Sequence, residues 1–285
     1  MLEGNLHGNR IYNKFSELTS KNRPALICFI VGGYPTIAHS EQIVSSLVKA
    51  GADMIEIGIP FSDPIADGPT IQNAYNTALK NGVTPQKCLH MCANLRKKFP
   101  TLPLLIMTYS NIVYKAGLEK FIKLSRLHGV DGFILPDMAI MESDAYVKVA
   151  SDHGLATIFL ASPNSNKQRI EQIMNVCSGF IYVVSIFGIT GTRLRYEKYT
   201  FHNIRKIKKI TQGRIPIAVG FGISRPDQIV SIVESGADAV ILGSSLIDRI
   251  KVAANHTLIL NDLQTFVRQL RDVCSSVQIS KEGDQ

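Results

Sequence analysis

With 285 residues, 45% of them hydrophobic and 19% charged, the chain can bury a full core and lies outside the composition of disordered or fibrous proteins. Lys and Arg outnumber Asp and Glu by 31 to 23, and the net charge of +8 favours an anionic ligand. No apolar run is long enough to cross a membrane, and Met1–Arg10 lacks the apolar centre of a signal peptide.

In chain order, Ile11, Phe15 and Leu18 recur at helical spacing within residues 8–22 and predict a preliminary helix. Ala25–Val31 is the first predicted strand, and His39–Ala50 the next helix. A short phrase then recurs three times: Gly51-Ala52-Asp53, Gly129-Val130-Asp131 and Gly236-Ala237-Asp238. Each time the Gly suits the left-handed end of a helix and an apolar run follows. Eight such runs are predicted strands: Ala25–Val31, Asp53–Ile59, Pro103–Tyr109, Gly132–Pro136, Ala156–Ala161, Phe180–Ser185, Ile215–Val219 and Ala239–Leu242. Amphipathic segments separate them at Leu118–His128, Ser143–His153, Lys167–Cys177, His202–Thr211 and Pro226–Ser235. Eight strand–helix units imply an α/β fold, a single (β/α)₈ TIM barrel with an extra N-terminal helix. The alternative, a doubly wound sheet, lacks its glycine fingerprint after the first strand. No linker divides the chain, so residues 1–285 are expected to form one domain, with 1–7 and 275–285 as frayed ends.

The basic cluster Arg205, Lys206, Lys208 and Lys209 falls in a predicted helix and is expected to be a solvated face. It has no interleaved aromatics for base stacking, so nucleic acid is not expected. The five cysteines are scattered and form no CxxC pair, which fits reduced thiols in a cytoplasm. The seven histidines show no metal-ligand spacing, and no metal is expected.

The stretch Asp53–Gln72 carries the densest chemistry. Glu56 interrupts an apolar strand near its C-terminal end, the end at which barrels of this kind place their active sites. Alternation puts it on one face with Met54 and Gly58. Burial raises a carboxyl pKa toward neutrality, where the group can both give and take a proton; a satisfied interior acid is the competing reading. Asp67 lies in the following loop and is either a second functional acid or the N-cap of a helix opened by Pro69. Asp63, before Pro64, is expected to form an Asx turn. Gly220–Ser224 follows the seventh strand and Gly243–Ser245 the eighth, the two loops that often hold phosphate in these barrels. Either cluster alone reads as a tight turn; together they point to phosphate. Ile186–Glu197, after the sixth strand, is a candidate lid. Phe29, Tyr109 and Tyr182 can line a pocket for a flat ligand.

These residues match a known family. The run Glu56–Gln72 (EIGIPFSDPIADGPTIQ), supported by Tyr109-Ser110-Asn111, Pro136-Asp137, Gly188–Gly191, Gly220–Ser224 and Gly243-Ser244, resembles the tryptophan synthase alpha subunit over almost the whole chain. The resemblance implies a retro-aldol lyase that splits indole-3-glycerol phosphate into indole and glyceraldehyde 3-phosphate without metal or organic cofactor of its own. It makes Glu56 the acid–base group and Asp67 the partner of the indole N–H. It assigns Gly191, Gly222, Gly243 and Ser244 to the phosphate, sets Phe29, Tyr182 and Phe221 around the substrate, and has Thr190 close the lid onto Asp67. It further implies an α₂β₂ complex with a beta subunit that carries pyridoxal phosphate and faces the loop Pro60–Gly68 and the lid. A weakly active subunit that mainly activates its partner, and a stand-alone indole-releasing lyase, are the competing functional readings.

Overall fold

The computed structural model describes residues 8–184, 193–220, 222–252 and 256–279. Helix α1 (Arg10–Ser20) leads into β1 (Ala25–Val31), α2 (Ile37–Ala50) and β2 (Met54–Gly58). Two helices, α3 (Pro69–Lys80) and α4 (Pro85–Lys98), precede β3 (Leu104–Met107). Two more, α5 (Ser110–Ala116) and α6 (Leu118–Leu127), precede β4 (Gly132–Ile134). A 3₁₀ turn at Ile140–Glu142 and α7 (Asp144–Asp152) lead to β5 (Ala156–Ala161), and α8 (Lys167–Val176) to β6 (Ile181–Val184). Then come α9 (Arg193–Thr211), β7 (Ile217–Gly220), α10 (Pro226–Glu234), β8 (Ala239–Leu242), α11 (Ser244–Val252) and α12 (His256–Ser276).

The eight strands pair in chain order, all parallel, and β8 closes onto β1. This is a (β/α)₈ barrel, as the spacing of apolar runs predicts. The strands are buried on both faces, which is why they read as continuous apolar runs rather than alternating ones. Each predicted strand is present, several of them shorter by one or two residues at the ends, and β7 starts at Ile217 rather than Ile215. Helix α3 opens at Pro69, as the sequence allowed, whereas α4, α5, α11 and α12 lie outside the predicted segments. Helix α12 reaches Ser276, and beyond it the Ile279 N–H donates to Asn22 O at 3.4 Å.

The repeated glycine–aspartate phrase has a structural cause. Gly51, Gly129 and Gly236 have φ of 106°, 84° and 105°, so each turns a helix end back toward the sheet. The aspartate that follows then clamps the preceding strand. Asp53 accepts the Leu26 N–H of β1, Asp131 the Leu104 N–H of β3 and Asp238 the Ile217 N–H of β7, at 2.9, 2.8 and 2.9 Å. Each also meets a cation: Arg23 for Asp53, Arg10 and Arg96 for Asp131, and Lys208 for Asp238. Lys208 therefore belongs to an ion pair and Lys206 donates to Ser165 O, while Arg205 and Lys209 alone keep the solvated character expected of the basic cluster.

Helix α1 lies across this floor of the barrel. Asn9 caps it by accepting the Ile11 N–H, and its amide donates to Asp131 O and Gly154 O. Phe15 packs edge-on against Phe180, with ring centroids 5.9 Å apart. All five cysteines are free and buried. Among the described residues, no helix is long and apolar enough to cross a membrane.

Candidate active site

The opposite end of the barrel, at the C-terminal ends of the strands, gathers most of the expected site residues. Register sets Glu56 beside Phe29 of β1 and Leu105 of β3. Glu56 is fully buried, and neither carboxylate oxygen has a hydrogen-bond partner. Loss of water, and secondly the charge of Asp67, push its pKa up to about 8, so the group holds its proton at neutral pH. Gly58, on the same face, is what gives Phe29 its place. A methyl group at Gly58 would lie 2.8 Å from Phe29 Cζ.

Asp67 is not the helix cap. Gly68 holds that position on α3, and the Asp67 side chain instead accepts a 2.6 Å hydrogen bond from Tyr109 Oη. The same Tyr109 oxygen accepts the Ala66 N–H at 3.1 Å, and Gln72 Nε2 donates to Asp67 O. The loop that carries Asp67 is thus fastened on both sides, while Asp67 Oδ1 is buried and unpartnered. Burial raises its pKa to about 6, against the lowering effect of the tyrosine hydroxyl. Asp63 accepts from Ser62 Oγ, and the Ile65 N–H goes to the Asp63 backbone oxygen rather than to its side chain. The expected side-chain Asx turn is therefore a backbone turn.

Tyr109 has a larger part than a pocket wall. It ties Asp67 in place and stacks on Phe61 at 5.1 Å. Tyr182 of β6 is buried, lies against Gly220 at the end of β7, and shares its electrostatic surroundings with Glu56 and Asp67. The glycine rim follows. Gly222 has φ of 77°, a conformation few other residues adopt. Gly243 directly follows β8, its built Cβ 3.8 Å from the Phe29 ring, and Ser244 is the first residue of α11. Free backbone N–H groups at such a helix start, beside the turn after β7, suit an anion. Ser245 Oγ next to it is buried without a partner. Thr190, Gly191 and Phe221, together with most of the predicted lid, lie outside the described residues. The last residues of that predicted loop, from Arg193, already belong to α9.

This geometry has close counterparts. The family model for the tryptophan synthase alpha chain matches residues 15–275. The alpha chain of Aquifex aeolicus is 40% identical over 267 residues, 92% of this chain and 98% of the relative. The chain belongs to the tryptophan synthase alpha chain family. The crystal structure of the alpha subunit from Legionella pneumophila superposes with a TM-score of 0.86 at 30% identity, covering 94% of this chain and 99% of that one. A tryptophan synthase complex from Pyrococcus furiosus contains a chain with a TM-score of 0.79 at 32% identity, covering 87% and 98%.

Within this member of the tryptophan synthase alpha chain family, three groups near the site have no role assigned from the sequence. Thr108 is fully buried beside Tyr109 with an unpartnered hydroxyl, a lone polar side chain directly after the apolar run of β3. Ser110 donates through N–H and Oγ to Asp137, at 2.9 and 2.6 Å, which joins the loops after β3 and β4. Tyr75 of α3 carries no sequence signal, since an aromatic on the apolar stripe of a helix reads as core.

Proposed function

We propose that Glu56 and Asp67 are the acid–base pair for cleavage of indole-3-glycerol phosphate to indole and glyceraldehyde 3-phosphate, the alpha reaction of tryptophan biosynthesis. The observation that carries this reading is Glu56: fully buried, facing no cation among the described residues, with both oxygens open to a ligand. In the reaction the indole N–H donates to Asp67 Oδ1, whose negative charge favours the cation formed when C3 takes the Glu56 proton. The C3 side-chain bond then breaks, and its electron pair returns to the ring. The Glu56 carboxylate accepts the proton of the adjacent side-chain hydroxyl, which becomes the aldehyde, and the starting protonation state is restored. The protonated indole is itself the electron sink, so the step draws on no cofactor in this chain. Positioned acid–base groups contribute about 10²–10⁴-fold each.

Gly222, Gly243 and Ser244 hold the phosphate in this reading, together with Gly191. Phe29, Tyr109, Tyr182 and Phe221 border the indole, and Thr190 closes the lid onto Asp67. The partner is a beta subunit in an α₂β₂ complex, with pyridoxal phosphate on the partner's side. Ile65, Tyr114 and Met141 support this. They lie in the loop after β2, in α5 after β3 and in the 3₁₀ turn after β4, and Ile65 and Met141 are 82% and 81% exposed, apolar side chains without cover on the active rim. Free buried thiols fit a cytoplasmic setting. Release of indole from indole-3-glycerol phosphate, followed with and without purified beta subunit, tests the reading. Turnover that rises on adding the partner is expected. Absence of indole in both conditions would reject it, and full turnover alone with no response to the partner would make the protein a stand-alone lyase.

A further inference from the structure

Tyr75 lies on the second turn of α3, fully buried, with its hydroxyl unpartnered. A methyl group built on Gly58 would lie 2.6 Å from Tyr75 Oη, closer still than the edge of the Phe29 ring. Gly58 is two residues beyond Glu56 and shares its strand face. The hydroxyl therefore projects out of the helical layer to the Glu56 side of β2, where Glu56 Oε1, Glu56 Oε2 and Asp67 Oδ1 are also unpartnered. Buried hydroxyls nearly always find a partner. One left alone lowers stability, and a phenylalanine of the same shape would fill the space without that cost. Packing explains the ring of Tyr75 and leaves its oxygen unexplained.

We propose that Tyr75 is a positioning residue for the lyase reaction, its hydroxyl donating to Glu56 across one bridging oxygen and holding the carboxyl in the orientation from which the proton is exchanged. The inference rests on Glu56 being the acid–base group. The groups that face Glu56 are Asp67 from the loop after β2, Tyr182 from β6 and Tyr75 from α3, and Tyr75 is in turn faced by Asp67, Tyr109 and Cys88 of α4. None of these is a cation. A hydroxyl donor is then the means at hand to favour the ionised form of Glu56 after it has given up its proton.

The test is Tyr75→Phe in the full chain, assayed with the beta subunit. The variant is expected to be as stable as the parent or more so, with kcat roughly three- to tenfold lower and KM little changed. The basic limb of its kcat–pH profile is expected to move up by roughly half to one pH unit, because a donor to the carboxylate has been lost. The protonated carboxyl stretch of Glu56, followed by infrared titration of the free protein, should move the same way. That titration needs no turnover. An inactive parent would reject the reading of Glu56, while the titration would still decide the link to Tyr75. Coincident titrations and unchanged kcat would overturn the proposal, as would a loss of kcat with an unmoved pH limb, which would make Tyr75 merely structural.

Discussion

At the floor of the barrel Asp131 is fully buried and meets two guanidinium groups and a strand N–H, with Arg96 and Arg10 at 2.6 and 2.9 Å. At the mouth Glu56 is buried to the same degree and, among the described residues, meets no cation and no donor. Both acids sit beside strand ends on one scaffold, and both have lost their water. The difference lies in what replaces it. A buried carboxylate with counter-charges is held by them and fastens strands; one without them keeps its proton and can pass it on. Burial alone therefore does not mark a catalytic acid, whereas burial without compensation points to a candidate.

Breaking the mouth side of this comparison should have the largest effect. Glu56→Gln keeps the shape and removes the exchangeable proton, so indole release should fall by about 10²–10⁴-fold with no loss of thermal stability. Activity near that of the parent would remove Glu56 from the mechanism. Breaking the floor side should do the reverse. Asp131→Asn leaves Arg10 and Arg96 uncompensated, and urea unfolding should show a loss of about 3 kcal/mol, with kcat per folded molecule retained. Asp67→Asn should fall between them, lowering kcat by roughly ten- to a hundredfold without unfolding the protein, because its Tyr109 partner can still donate to the amide oxygen.

The pH dependence sharpens the contrast. Glu56 must start protonated and Asp67 ionised, so kcat should rise through about pH 6 and fall above about pH 8, as a property of the coupled pair. Stability should run against the usual trend for carboxylates. Below about 4.5 both folded and unfolded chains hold the Glu56 proton; between about 4.5 and about 8 only the folded chain does. Folding thus binds a proton in that window, and stability declines as pH rises through it, by at most about 1.4 kcal/mol per pH unit. Unfolding measured across the window should show a shallower decline in Glu56→Gln. The smallest effect is expected where neither kind of burial operates. Asp152→Asn breaks an exposed 2.7 Å pair with Lys148 within α7 and should leave the urea unfolding midpoint unchanged.

The sequence disclosed the barrel because eight buried strands write eight apolar runs, and because the glycine–aspartate turns repeat. It was less informative about α4, whose buried positions include Cys88, Met91 and Cys92 in place of branched aliphatics, and about α12, whose apolar stripe precedes a polar end. At the site Glu56 stood out as the acid in an apolar strand. Asp67 could be read two ways, since the choice between cap and functional acid depends on Tyr109, 42 residues away. Long-range pairing of this kind leaves no local pattern. The same holds for Tyr75, which looks like any core aromatic until its hydroxyl is seen to lack a partner.

Helix α1 has a consequence for traffic. Asn9 is bonded to the chain ahead of β4 and β5, and Ile11 fills the space that the absent Gly132 side chain leaves, where an added methyl would approach the Ile11 Cδ1 to 2.9 Å. Among the described residues the barrel is stoppered at its base, which leaves the rim as the doorway. Freed indole must depart past the rim by which the substrate came in, so a protein seated on that rim would decide the destination of the product.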